Sequence, residues 1–114
     1  MDDLLAAVIA HVYSVLEIPV SSEVPADKPA AFVTIGPSGG TFDRFIQEPL
    51  YSVSAYAGSD AAAASLLRDA CDAMLTLPDA VDLVCQSSVK TTYRNDLDDM
   101  SGWTATVSVL ANRD

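Results

Sequence analysis

The residues of this chain with side chains suited to bond-making or metal binding are His11, the cysteines Cys71 and Cys85, and the run Asp96, Leu97, Asp98, Asp99, Met100, Ser101, Gly102. His11 is the only histidine, which excludes a multi-histidine zinc site and a two-histidine proton relay. It falls at the border of the apolar stripe of a predicted helix, where a hydrogen-bonded or half-exposed imidazole is expected. A cysteine–histidine nucleophile pair needs an electropositive, partly open niche that favours the thiolate. The local sequence around both cysteines is acidic instead. Neither belongs to a C-x-x-C pair and the two lie in different predicted elements, so reduced, buried thiols are expected. Asp96-x-Asp98 opens like a calcium loop, but the next ligand position holds Met100 and the closing glutamate position holds Val107. That run reads as a solvated hairpin turn. The cluster Gly36, Pro37, Ser38, Gly39, Gly40 lacks the Lys and Ser/Thr of a phosphate cradle and opens no helix, so it reads as a turn. No spacing among the sixteen carboxylates selects an acid/base pair. The expectation is a protein that is not an enzyme and has no cofactor or metal.

The bulk properties narrow the classes further. The 114 residues include 16 acidic and 6 basic side chains, for a net charge of −10. With 50% hydrophobic residues and a mean hydropathy of +0.25, the chain lies on the folded side of the boundary with disorder. At this length about two-thirds of the surface of the unfolded chain is buried on folding, enough for one domain spanning 1–114 and too little for two. Six scattered cations cannot build the patch that neutralises nucleic-acid phosphates, and the same charge disfavours an anionic membrane. The longest apolar stretch, Leu4 to Leu16, is broken by His11 and Ser14 and is shorter than a spanning helix requires. The opening Met1, Asp2, Asp3 is unlike the basic start of a secretory signal, so the chain is expected in the cytosol after synthesis.

These residues imply an order of elements. Leu4, Leu5, Val8, Ile9, Val12, Val15 and Leu16 recur at spacings of three and four and predict a helix over 3–16, capped by Asp2 or Asp3 and closed by Pro19. Residues 19–29, with three prolines, read as an edge strand plus turn. Residues 31–35 read as a buried strand and 49–57 as its hairpin partner, joined by a connection of about ten residues that is long enough to suggest a mobile or functional loop. Ser59 caps a second helix over 60–76, in which Ala61 to Ala64 allow close approach of a sheet or neighbouring chain. Residues 82–93 read as a strand, 95–102 as an acidic turn, and Trp103, Ala105, Val107, Val109 and Ala111 alternate along a last strand. The predicted fold is α+β, a two-layer sandwich with two helices on one face of a mostly antiparallel four- to five-stranded sheet.

Taken as a series, Ser21-Ser22-Glu23-Val24-Pro25, Pro29-Ala30-Ala31-Phe32-Val33-Thr34-Ile35, the Gly39-Gly40 pair, Pro49 through Ala57 running into an alanine-rich helix, and Ser101-Gly102-Trp103 opening an alternating strand resemble the tail terminator (tail completion) proteins of long-tailed bacteriophages and prophages. The resemblance runs from about 15 to 111 as a pattern of patches without a single diagnostic motif; the 41–47 segment and the Asp98-Asp99 turn have no counterpart in it. It implies a small subunit that assembles as a ring, usually a hexamer, on the last ring of the tail tube. The ring stops tube growth and meets the head-completion or neck proteins. It also implies no catalysis, a place in the virion after assembly in the host cytoplasm, and passage of DNA through a lumen without specific binding. Acidity suits such a lumen, because phosphate finds no cationic partner there.

Two other readings compete. A head-completion or tube protein shares the ring logic, the tube protein stacking on itself into long polymers; a small ligand-binding α+β domain needs a concave pocket with convergent polar groups. For the ring reading, subunits join head to tail through two different surfaces. The expected pair is Phe42, Asp43, Arg44, Phe45 and Ile46 on one side and the acidic Asp96, Asp98 and Asp99 on the other, with Arg44 setting register and the two phenylalanines supplying buried area. Moderate salt is expected to promote assembly by screening the net repulsion.

Overall fold

An apolar residue every third or fourth position needs a second layer to lie on. In the computed structural model, which describes residues 3–113, that layer is a five-stranded sheet. Helix α1 (Asp3–Leu16) turns Leu4, Leu5, Val8 and Val12 inward, where all four are buried. The expected cap by Asp2 or the Asp3 side chain lies outside the described residues. The chain leaves the helix through Glu17 at φ 57°, its N–H donating to the Tyr13 carbonyl, before Pro19. Strand β1 (Val20–Ser21) is only two residues long and pairs parallel with β2 (Phe32–Phe42). Strand β3 (Ile46–Ala57) follows, then α2 (Asp60–Leu75), the single turn α3 (Leu77–Ala80), β4 (Val84–Arg94) and β5 (Ser101–Asn112). The strand order is β1-β2-β3-β5-β4, antiparallel except at β1. This is the expected α+β sandwich, with five strands.

Alternation along the strands assigns the two faces. Val33 and Ile35 of β2, Tyr51, Val53 and Ala55 of β3, and Ala105, Val107, Val109 and Ala111 of β5 point toward the helices and join one buried cluster with Leu67, Ala70, Cys71, Ala73, Met74 and Leu77. The opposite face is lined with hydroxyls: Ser52, Ser54, Thr104, Thr106 and Ser108 are cross-strand neighbours. Ser54 and Thr104 are buried and satisfy each other at 2.7 Å. On the same face the Phe32 and Tyr56 rings lie 5.1 Å apart. Gly102 makes room for Tyr56, since a Cβ there would fall 2.6 Å from Tyr56 Cδ1. Ser59 caps α2 as its sequence requires, accepting from the Ala62 N–H. Of the four alanines that follow it, Ala63 is the one fully buried.

Three sequence expectations are corrected. The cluster Gly36–Gly40 is no turn: β2 continues through it to Phe42, with a bulge between Pro37 and Gly39. Gly39 and Gly40 take φ of +129° and +124°, and a Cβ at Gly40 would meet the Pro49 Cα at 2.6 Å. Gly40 therefore lets two backbones pair closely and Gly39 supplies the positive φ at the bulge, uses of glycine that a turn-based reading of the sequence misses. The hairpin connection consequently shrinks from about ten residues to Asp43, Arg44 and Phe45. Finally, Cys71 is buried as expected but Cys85 is exposed, because it sits beside the register shift between Val84 and Gln86 on β4.

Candidate functional site

The β2–β3 turn is built around Asp43. Its Oδ1 accepts the backbone N–H groups of Phe45 and Ile46, both at 2.9 Å, and its own N–H donates to the Ile46 carbonyl at 2.8 Å. These two backbone donors, Ile46 first, hold the Asp43 carboxyl below the ordinary carboxylate range; nearby Arg113 adds to the effect. With Asp43 committed to the turn, the apolar side chains point out: Phe42 is 73% exposed and Phe45 69%, and Ile46 is exposed beside them. Each ring carries a guanidinium. Arg44 lies 5.5 Å from the Phe45 centroid, and Arg113 lies 4.8 Å from that of Phe42. Arg113 is fixed by donating its N–H to the Phe45 carbonyl and its Nη1 to the Asp43 carbonyl. The predicted residues Phe42, Asp43, Arg44, Phe45 and Ile46 thus form one tip, and Arg113 joins them through the register of β5, which no local sequence signal discloses.

The acidic turn lies at the opposite end of the sheet. Ile46 is opposite Asn112 and Ala57 opposite Ser101, so the length of β5 separates the two sites, roughly 36 Å at strand rise. Here Asp96 and Asp98 are already engaged. Asp96 accepts from the Gly102 N–H at 3.1 Å and from Arg94 Nε at 3.2 Å, and these donors lower its pKa in that order. Asp98 is paired with Lys28 at 2.8 Å, which lowers the acid and raises the amine. Arg94 also approaches Asp60 at 3.5 Å, and Asp60 accepts from Trp103 Nε1 at 3.0 Å. Asp99 is exposed on the same turn. Tip and turn do not meet within one subunit. The calcium-like run is closed into a small bridge between Leu97 and Met100, and among the described residues no three His, Cys, Asp or Glu side chains gather as a metal-ligating group.

The helical layer holds a third feature that sequence reading missed. Between the end of α1 and the second half of α2 runs a groove of about 430 Å³ lined by Val15, Leu16, Asp69, Asp72, Ala73 and Thr76. Val15 is about half exposed, and Asp69 and Asp72 of α2 are exposed to solvent. His11 lies below, its Nε2 2.7 Å from Thr76 Oγ1, which fits the hydrogen-bonded imidazole expected of it. Arg68 lines the neighbouring groove on the other side of α2, together with Leu67, Cys71, Leu75 and Trp103. Burial in that layer, helped by Asp72, pushes the Cys71 thiol above its ordinary pKa and keeps it protonated.

A chain from a solved virion has this fold. It comes from a structure described as the virion of a native gene transfer agent (GTA) particle, and the superposition has a TM-score of 0.62 at 16% sequence identity. The match covers 96% of this chain and 95% of that one, so the two folds are alike from end to end. No family model and no curated protein matches the chain.

Proposed function

We propose that this chain is a non-catalytic structural subunit of a phage-like virion, and that it works as the ring that ends the tail tube and joins the tail to the head-completion or neck proteins. The observation that carries the reading is the end-to-end likeness of fold to a chain of a gene transfer agent virion. The patch pattern that resembles tail terminators adds the finer role. The surface supports a heterologous assembly: an apolar, cation-bearing tip lies at one end of the long axis and differently composed surfaces lie elsewhere, as a closed ring of identical subunits requires. A ring of six is the proposed state. Each copy brings a net charge of −10, so DNA passing through the lumen is repelled by the wall rather than held.

Electron microscopy and sedimentation of the purified protein, at raised concentration and moderate salt, test the role. Closed rings of one size, binding to one end of preformed tail tubes, are expected. Long self-stacked polymers would assign the chain to the tube instead, and a protein that stays monomeric with and without tubes would contradict the ring.

A further inference from the structure

The ring reading needs a surface to receive the hairpin tip, and the acidic 95–100 turn is a poor one. Its carboxylates Asp96 and Asp98 already hold Arg94, the Gly102 N–H and Lys28. A guanidinium arriving there competes with partners in place, and the exchange yields little. The α1–α2 groove differs in both respects. Asp69 and Asp72 are exposed and line the groove together with apolar surface from Val15, Leu16 and Ala73. The tip presents the matching chemistry: two exposed aromatic rings, each with an arginine over it, and no free acid, because the Asp43 carboxylate is committed to its own turn. Stacked on rings, the guanidinium groups are held in place and lose less freedom on pairing with carboxylates than they would from an open chain.

Resting on the ring reading, we infer that the tip of one copy docks in the α1–α2 groove of the next, with Phe42 and Phe45 on Val15, Leu16 and Ala73, and Arg44 and Arg113 facing Asp69 and Asp72. The occupant is a second copy of this chain. Tip and groove lie on different elements and have opposite charge, so the contact is heterologous and repeats in one direction, which is how a ring closes. The rings supply the area and the charge pairs select the partner surface. In a chain with six basic residues, placing two of them at the tip also relieves the repulsion between copies where they touch.

Mixed cysteine cross-linking tests the contact. Exposed Cys85 is replaced by serine, Cys71 stays buried, and Arg44→Cys protein is mixed with Asp69→Cys protein under mild oxidation while sedimentation records the assembly. The expected result is a cross-linked dimer that requires both variants, with the wild-type assembly state retained by the Cys85→Ser parent. In parallel, reversing Asp69 and Asp72 to lysine weakens assembly several-fold, and adding Arg44→Glu with Arg113→Glu to the same chain recovers it. Rings that form without the mixed cross-link, or with tip cross-linked to tip, overturn the groove assignment and leave the ring standing. A Cys85→Ser parent and wild-type chain that never assemble overturn the ring and the groove together.

Discussion

The two ends of the sheet carry turns of three and six residues, 43–45 and 95–100, each organised by an aspartate, with opposite consequences for the surface. At the β2–β3 end, Asp43 spends its carboxylate on two backbone N–H groups, and the side chains left over are Phe42, Phe45, Ile46, Arg44 and Arg113. At the β4–β5 end, Asp96 and Asp98 spend theirs on Arg94 and Lys28, and no large apolar side chain is presented within that turn. A chain of net charge −10 therefore has two of the three carboxylates of its most acidic run paired internally, and its most exposed aromatic surface at a tip with two cations. Local charge in the sequence does not report which charges are available; the hydrogen-bond partners do. Exposed aromatic residues clustered at one end of a small protein mark a contact surface.

The largest expected effect separates assembly from folding. Replacing both Phe42 and Phe45 by alanine is expected to weaken assembly about tenfold or more, by removing the buried area that the contact depends on, while thermal unfolding of the subunit stays near wild type because both rings are exposed. Sedimentation and a melting curve on the same sample read the two effects. Phe45→Ala alone is expected to exceed Arg44→Ala, since a rim charge sets register and a ring supplies area. Next comes Gly102 at the other end. Gly102→Val forces a side chain against the Tyr56 ring and the adjacent backbone, and a loss of about 1–3 kcal/mol in a denaturant titration is expected. Gly36→Ala, with open space around its Cβ position and an ordinary φ, is the control and should change little.

A smaller effect follows from pH. The Asp43 carboxyl is held below its ordinary value of 3.8 by the Ile46 and Phe45 N–H groups, so its contribution to the tip is complete above that value and is lost as pH falls through the lowered one. Hydrogen exchange of the Phe45 and Ile46 amides should therefore accelerate in that acid window, and Asp43→Asn should remove the dependence. Asp96 and Asp98 are lowered in the same direction, by the Gly102 N–H with Arg94 and by Lys28, so the far turn loosens in acid too. The smallest effect is Lys28→Ala. Breaking an exposed pair with Asp98 should leave the melting temperature within experimental scatter, and stronger assembly on freeing Asp98 would show that the acidic turn, not the groove, is the partner surface.

Much of the fold was legible in the residues. The three- and four-residue spacing gave α1 and α2, Ser59 marked a helix start, and the alternation from Trp103 to Ala111 gave the last strand with its inward face. What misled was glycine. Gly36, Gly39 and Gly40 look like a turn by composition; only the facing Glu48, Pro49 and Leu50 backbone explains why the strand needs a residue without a Cβ at Gly40, and the positive φ beside the bulge explains Gly39. The same error lengthened the hairpin loop and hid how Asp43 fixes its tip. The two-residue β1 and the single-turn α3 are too short to carry a period. Of the candidate surface, the tip residues were found because five bulky or charged side chains adjoin in sequence. Arg113 and the α1–α2 groove were not, because register and helix packing bring their members together from 113, 15–16 and 69–76.

The central claim is that the apolar hairpin tip joins identical subunits into a ring. Its most direct test is sedimentation of the wild-type chain and of Phe45→Ala across a salt series. The expected wild-type result is one closed assembly that grows with moderate salt, as screening lifts the repulsion between copies of charge −10, and a Phe45→Ala chain that stays largely monomeric with an unchanged melting temperature. An intact Phe45→Ala ring, or a wild-type ring that falls apart as salt rises, would contradict it.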